Sequence, residues 1–250
     1  MFPAVVERWR PLVVLEHGSL PADLVLAFMR RESNGTVGDI GGRDDRIGYT
    51  DAEIACGFPA RFRRRDLGLM QVAPVTLRRY VKTTGDRITP CDLAATSTDG
   101  ARKQIRVGCW ALARALETAV ELSPALRAAA TWPKVASPPD EQILLSRCVY
   151  GFGGEGTRDR LDSAAAAGYP RTFGGLEAYK PTPARLFEGA RAILGWYKSG
   201  GGAGAGEQIA PPIASRPRTE GSSAGVLLLG GLLLYSLSRS SSSSRKERTS

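Results

Sequence analysis

The sequence predicts a mainly helical domain with a small irregular or β-like lobe, followed by a C-terminal membrane segment. Apolar residues recur at helical spacing in several stretches between residues 20 and 198. A stretch rich in glycine and charge, residues 34–67, lacks that spacing, and an uncharged apolar run lies at 221–238. With 250 residues, 42% of them hydrophobic, the chain is long enough to bury a large core.

Residues 1–19 are predicted to form a short N-terminal helix or arm that packs on this domain. They do not read as a secretory signal, because the apolar run Val13-Val14-Leu15 is too short and Glu7 and Glu16 interrupt the stretch.

The domain is predicted to start at residue 20. Its first helix is predicted to end beside an inward-facing carboxylate. Ser19 is a candidate N-cap, and Leu24, Phe28 and Glu32 follow one another at i+4 spacing. Asn34, followed by a glycine, supplies a stop. Glu32 therefore continues the apolar face of the helix.

An acidic side chain in that position is a candidate general acid. Apolar surroundings and the negative end of its own helix would both raise the pKa of Glu32, as acid catalysis near neutral pH requires. An ordinary solvated glutamate at a helix end is the alternative.

The remaining helices follow from turn signals and periodicity. Pro74 opens a helix that ends near Gly85, and Pro139-Asp140 opens one that delivers Tyr150 into a glycine-rich turn. Thr182-Pro183 caps the last helix of the domain. The clearest helix is capped by Asp99 and is the central buried one, with these inward residues: Ile105, Gly108, Cys109, Leu112, Leu116, Ala119 and Val120.

The C-terminal quarter of the chain has a different composition. Residues 199–220 form a Gly/Pro-rich linker, and 221–238 are predicted to be a transmembrane helix about 27 Å long, close to the thickness of a bilayer core of about 30 Å. The basic, serine-rich tail 239–250 would stay cytoplasmic under the positive-inside rule. A segment docked into a protein partner is the alternative.

Charge and composition narrow the function classes. The formal charge is +9 and the pI about 9.7, which favours anionic partners. No nucleic-acid recognition motif accompanies this charge. His17 is the only histidine and no Cys-x-x-Cys is present, so neither a zinc site nor a cofactor is expected. Cys109 and Cys148 are expected to be buried thiols, while any disulfide pairing stays open.

Four short motifs resemble those of one enzyme family. They are Glu32-Ser33 at a helix end, Gly68-Leu-Met-Gln-Val-Ala-Pro-Val-Thr76, Gln104-Ile-Arg-Val-Gly108 and Cys148-Val-Tyr-Gly-Phe-Gly-Gly154. In this order they resemble the motifs of the lytic transglycosylases of the lysozyme-like superfamily. Gln104 takes the place of the family's asparagine in the third motif, and Gly151 takes the place of the asparagine that follows the tyrosine in the fourth. The resemblance covers roughly residues 20–155.

The resemblance implies a peptidoglycan lytic transglycosylase. Glu32 would first protonate the β-1,4 glycosidic oxygen between N-acetylmuramic acid and N-acetylglucosamine, and then act as base to close a 1,6-anhydro ring. Met70 and Gln71 would line the cleft and bind substrate, and Ser33 would hydrogen-bond the substrate or the Glu32 carboxylate. Tyr150 would place its hydroxyl near the bound substrate, with a core tyrosine as the alternative. Residues 34–67 would form one wall of the glycan cleft.

A second carboxylate would make the enzyme hydrolytic. The sequence does not choose among the candidates for it, which are Asp39, Asp44, Asp45, Asp51 and Asp66.

The expected partners are the glycan strands of peptidoglycan and, through the C-terminal segment, a membrane. The catalytic domain would then face the periplasm or cell wall. A component of a virion, working with phage or envelope assembly proteins, is the alternative location. The alternative function is a catalytically inert module that binds peptidoglycan or plays a structural role.

Overall fold

The structure, a computed structural model, describes residues 1–41, 47–129, 137–180 and 183–201. The described ranges contain eleven α-helices and one short 3-10 helix, Ala60–Phe62. The α-helices are α1 (Ala4–Glu7), α2 (Arg10–Glu16), α3 (Ala22–Ser33), α4 (Asp51–Ile54), α5 (Pro74–Thr84), α6 (Pro90–Ala94), α7 (Thr98–Leu122), α8 (Pro124–Ala129), α9 (Asp140–Ala166), α10 (Phe173–Tyr179) and α11 (Ala184–Gly201).

The predicted mainly helical class is confirmed, and the β-like character of the lobe is slight. The described part of 34–67 holds α4, the 3-10 helix and irregular backbone. In place of strands, these residues and the adjoining turn show two isolated antiparallel bridges, Ile40 with Leu67 and Leu67 with Val72.

Helix α7 lies at the centre of the core, as predicted. All seven residues assigned to its inward face are buried, and α9 packs along it. The prediction that Asp99 is the N-cap of α7 is wrong. The N-cap is Ser97, whose hydroxyl accepts a hydrogen bond from Gly100 N at 3.1 Å, while Asp99 lies in the first turn and pairs with Lys103.

Helix α3 ends as predicted but begins later. Asn34 adopts a left-handed conformation with φ 50° at its C-terminus. The N-cap is Pro21 rather than Ser19, and it makes no side-chain capping hydrogen bond. The packing of the apolar face, in which Leu24 and Phe28 are fully buried, therefore stabilises this helix more than its cap does.

Helix α9 begins at Asp140 as predicted and is interrupted three residues after Tyr150. Gly153 has φ 78° and ψ 163°, which are not helical, and a second helical stretch then continues to Ala166. Glycine tolerates this conformation, so the glycine-rich segment breaks the helix after Tyr150, as predicted, but as a kink between two helical stretches rather than as a longer turn. Helix α5 has the predicted bounds, with Gly85 left-handed at its end. Helix α11 begins at Ala184, and Thr182 lies outside the described residues.

The N-terminal arm packs on the domain, as predicted. Helix α2 contacts α3 and α7, and Trp9 Nε1 donates a hydrogen bond to Gly35 O at 2.8 Å, just beyond the end of α3. The Glu16 side chain, 7% exposed, pairs with Arg102 and with Arg106 at 2.7 Å. This ion-pair cluster fixes α2 against α7.

The cysteines divide into one disulfide and two thiols. Cys56, just after α4, bonds to Cys91 of α6. Cys109 and Cys148 are buried free thiols, which confirms the prediction for both. Burial raises the pKa of Cys148 to about 12, so this thiol stays protonated and unreactive.

Three predicted segments lie outside the described residues: the transmembrane segment, the tail, and the linker except for residues 199–201 at the end of α11. Within the described ranges, none of the helices combines the length and apolar character needed to cross a bilayer.

The Glu16 cluster predicts an acid-dependent stability. Burial opposes ionisation of Glu16, but the hydrogen bonds from Arg106 and Arg102 prevail and lower its pKa below the ordinary 4.5. The stabilisation is therefore present above pH 4.5 and is lost as pH falls through the lower, folded-state pKa. Since both arginines are partly exposed, we expect Glu16→Gln to lower the free energy of unfolding at pH 7 by about 1–2 kcal/mol.

The loss in Glu16→Gln should shrink as the pH is lowered below 4.5, measured by urea unfolding across the acid range. Glu155→Gln, a change at an exposed glutamate of α9, serves as the control. An equal loss at every pH would contradict the ion-pair account.

The disulfide predicts a redox-dependent stability. A cross-link between residues 35 apart in sequence removes loop entropy worth about 3–4 kcal/mol from the unfolded chain. Reductant should therefore lower the Tm of the protein but leave the Tm of the Cys56→Ser/Cys91→Ser variant unchanged. A reductant effect that persists in that variant would show that the stabilising bond lies elsewhere.

Candidate active site

The second motif forms a tight turn in the irregular lobe. Leu67 and Val72 exchange two main-chain hydrogen bonds of 3.1 and 2.8 Å across the turn. Gly68 and Gln71 have positive φ values of 78° and 48°. A glycine suits the first position, because a Cβ there would be strained and would lie 2.7 Å from Gln104 Cγ.

Side chains from the first and third motifs bind the main chain of Leu69. Ser33 Oγ donates a hydrogen bond to Leu69 O at 2.8 Å. Gln104 Oε1 accepts from Leu69 N at 3.0 Å and from Gly38 N at 3.2 Å, and its Nε2 donates to Ala95 O at 2.7 Å. The fully buried Gln104 amide is thus satisfied on both ends.

The third and fourth motifs fix Met70 in the same way. Tyr150 OH donates a hydrogen bond to Met70 O at 2.6 Å. Gly108 packs against Met70 so closely that a Cβ at position 108 would lie 2.2 Å from Met70 Cγ. Burial first, and the nearby Glu32 carboxylate second, raise the pKa of Tyr150 well above 10. Its hydroxyl therefore stays a donor.

A groove of about 880 Å³ borders this turn. This volume is within the range of ligand-binding clefts. Its lining comes from α3, the second-motif turn, α5, α7, α9 and α11, and includes Glu32, Asp66, Gln71, Arg79, Trp110, Arg114, Arg147, Tyr150 and Leu186.

Glu32 lies at the border of this groove, 12% exposed, at the end of α3. Its Oε1 is 3.0 Å from Nη2 of Arg147, a residue of α9 that is itself 13% exposed. The guanidinium favours the charged form of the carboxylate. The guanidinium thus opposes burial and the negative end of α3, the two effects that the sequence analysis expected to raise the pKa of Glu32. The alternative of a solvated Glu32 does not fit its observed burial.

Of the three candidate second carboxylates that the structure describes, Asp39, Asp51 and Asp66, Asp66 is the one that lines the groove. Asp66 lines the same groove as Glu32. Asp39 accepts a hydrogen bond from Gln71 Nε2 at 3.3 Å, and Asp51 is exposed and paired with Arg63. Asp44 and Asp45 lie outside the described residues.

The five residues predicted for the site divide into two groups. Glu32, Gln71 and Tyr150 line the groove. Ser33 and Met70 are buried and are absent from its lining among the described residues. The structure therefore does not support substrate contact for Ser33 or Met70. Both instead join α3, α7 and the turn, because the last turn of α3 directs Ser33 away from the groove.

Sequence reasoning missed two features of the site. Arg147 lies three residues before Tyr150 on α9, so the two share a helix face, and that spacing was the available signal. Position 151, where the family has asparagine, has little room for a side chain. A Cβ at Gly151 would lie 2.4 Å from Leu186 Cδ1. Helix α11 thus occupies space beside the fourth motif.

Comparisons with protein-family models, with curated proteins and with solved structures gave no match for this chain.

The contact between Tyr150 and Met70 predicts a measurable loss of stability. Tyr150→Phe removes the hydroxyl and leaves the Met70 carbonyl without that donor, so we expect the free energy of unfolding to fall by about 1–2 kcal/mol. Tyr179→Phe, at a more exposed tyrosine of α10, should change it by less than about 0.5 kcal/mol. Equal effects of the two changes in denaturant unfolding would contradict the proposed role of Tyr150.

Proposed function

We propose that this protein is a peptidoglycan lytic transglycosylase, which cleaves the β-1,4 bond between N-acetylmuramic acid and N-acetylglucosamine. The observation that carries the proposal is the position of Glu32. This carboxylate borders the groove, is mostly shielded from water, and lies next to the turn on which all four motifs converge.

The four motifs span more than 100 residues of sequence. Their resemblance to one family is a property of the sequence alone and does not depend on any contact among them. Contacts joining three of them to the main chain of Leu69 and Met70 are what a common site requires, and they support treating the motifs as one unit.

In the proposed reaction Glu32 gives its proton to the glycosidic oxygen, and the N-acetyl group of the muramic acid assists departure of the leaving sugar. The Glu32 carboxylate then takes the proton from the 6-hydroxyl of the same sugar, which closes the 1,6-anhydro ring. One residue is thus acid and then base, so a single carboxylate is sufficient.

Arg147 would favour one of the two proposed steps and oppose the other. Its charge stabilises the Glu32 carboxylate that acts as base in the second step, but it disfavours the protonated form needed in the first. We expect substrate in the groove to weaken the contact between the two side chains, because sugar atoms compete for the same space.

A hydrolytic outcome is the second candidate, and the position of Asp66 in the groove is what favours it. Asp66 would activate a water molecule, and the product would then carry a reducing end rather than an anhydro ring.

The proposed cellular location is outside the cytoplasm, in contact with the wall. The disulfide between Cys56 and Cys91 supports an oxidising compartment. Membrane anchorage through 221–238, and the alternative of a virion component, stay as predicted from the sequence.

Digestion of purified sacculi tests the proposal. We expect the protein to release 1,6-anhydromuropeptides, identified by mass spectrometry, and Glu32→Gln to lower the rate by about 10³-fold because it removes the acid and base. Arg158→Gln, at an exposed position absent from the described groove lining, should retain activity.

The products distinguish the alternatives. Reducing-end products that disappear in Asp66→Asn would replace the transglycosylase with a hydrolase. Absence of products with a folded protein that still binds sacculi would favour the inert module.

A further inference from the structure

One wall of the groove is not needed for the chemistry at Glu32. Helix α5 contributes Arg79 to this wall, and α7 contributes Trp110 and Arg114. We call these three residues the cationic wall. Neither helix carries Glu32 or Arg147, so the wall is built from separate elements.

Trp110 is held in a fixed orientation. Its ring packs edge-on against Tyr80, with centroids 5.7 Å apart and an interplanar angle of 82°. The Tyr80 hydroxyl in turn donates a hydrogen bond to Asp86. A rigid, half-buried indole in a groove offers an apolar face to a sugar ring at small entropic cost.

The charges of the cationic wall are available to a ligand to different extents. Arg114 Nη1 is 2.6 Å from Glu117 Oε2, and its guanidinium carbon is 5.9 Å from the Trp110 ring centre. Within the described part of the chain, Arg79 has no hydrogen-bond or ion-pair partner. By contrast, Arg147 is already paired with Glu32. Arg79 is therefore the groove cation best placed to receive an external carboxylate.

We infer that the cationic wall binds the carboxylates of the peptide stems carried by muramic acid, with Arg79 as the main contact and Trp110 stacking on the adjoining sugar. This inference rests on the proposed function, since it names the part of peptidoglycan that the groove selects. A guanidinium binds a carboxylate through two parallel hydrogen bonds, so the charge and geometry are complementary.

The protein discriminates glycan strands that carry stems from strands that have been stripped of them. The neutral sugars are recognised in both, whereas the Arg79 contact forms only with the stems. Salt weakens the binding of stem-bearing strands more than that of bare strands, because only the former includes a partly exposed charge contact.

Binding without cleavage tests the inference. In the full chain carrying Glu32→Gln, Kd is measured by calorimetry for glycan strands with un-cross-linked stems and for the same strands after an amidase has removed the stems. We expect stem removal to weaken binding about fivefold, and Arg79→Gln to weaken binding of stem-bearing strands about fivefold, as one exposed charge contact would. Arg79→Gln should leave the binding of bare strands unchanged.

Arg158→Gln is the matched control, since it removes the same charge from an exposed site absent from the groove lining of the described residues. It should change neither Kd, and the Tm values verify that the variants are folded. An equal loss in Arg158→Gln would show general charge attraction and overturn the inference. Equal Kd values for both strands, with no effect of Arg79→Gln, would overturn the inference alone. Absence of binding to either strand would overturn the proposed function with it.

Discussion

The site depends on the hydrogen bonds that side chains make to the main chain of Leu69 and Met70. Ser33 from α3, Gln104 from α7 and Tyr150 from α9 provide them. Buried main-chain groups outside regular structure need such partners, or the turn would be costly to bury. Because Ser33 adjoins Glu32 in sequence, the same bonds that satisfy the turn also fix the end of α3. The hydrogen bonds that hold the turn therefore also position the Glu32 carboxylate.

The electrostatics of Glu32 differ from those of an isolated buried acid. Burial and the negative end of α3 disfavour its charge, while Arg147 at 3.0 Å favours it. This balance suits the proposed reaction, in which Glu32 would both give and take a proton. The ion pair gives the shielded carboxylate a countercharge, which offsets part of the cost of its burial. In the proposed reaction, ligand binding would alter this balance and so connect substrate recognition to proton transfer.

Local patterns in the sequence predicted local structure well. The i+4 series ending at Glu32, the bounds of α5 and the buried face of α7 all follow from periodicity and turn residues, and the structure confirms them. Contacts between distant segments were not predictable in this way. Arg147 reaches Glu32 across 115 positions of sequence, and a motif does not reveal that Ser33 and Met70 face inward. The glycines after Tyr150 indicated the break at Gly153, but they did not indicate that a second helical stretch resumes at once and continues to Ala166.

The most direct test of the central claim is a crystal structure of the Glu32→Gln protein with a tetrasaccharide of alternating N-acetylglucosamine and N-acetylmuramic acid. Our account predicts the sugars in the groove between the second-motif turn and α7. One glycosidic oxygen should lie within about 3.2 Å of the side chain at position 32, with the hydrogen bonds to Leu69 and Met70 intact. A sugar bound outside the groove, or a turn detached from Ser33, Gln104 and Tyr150, would contradict it.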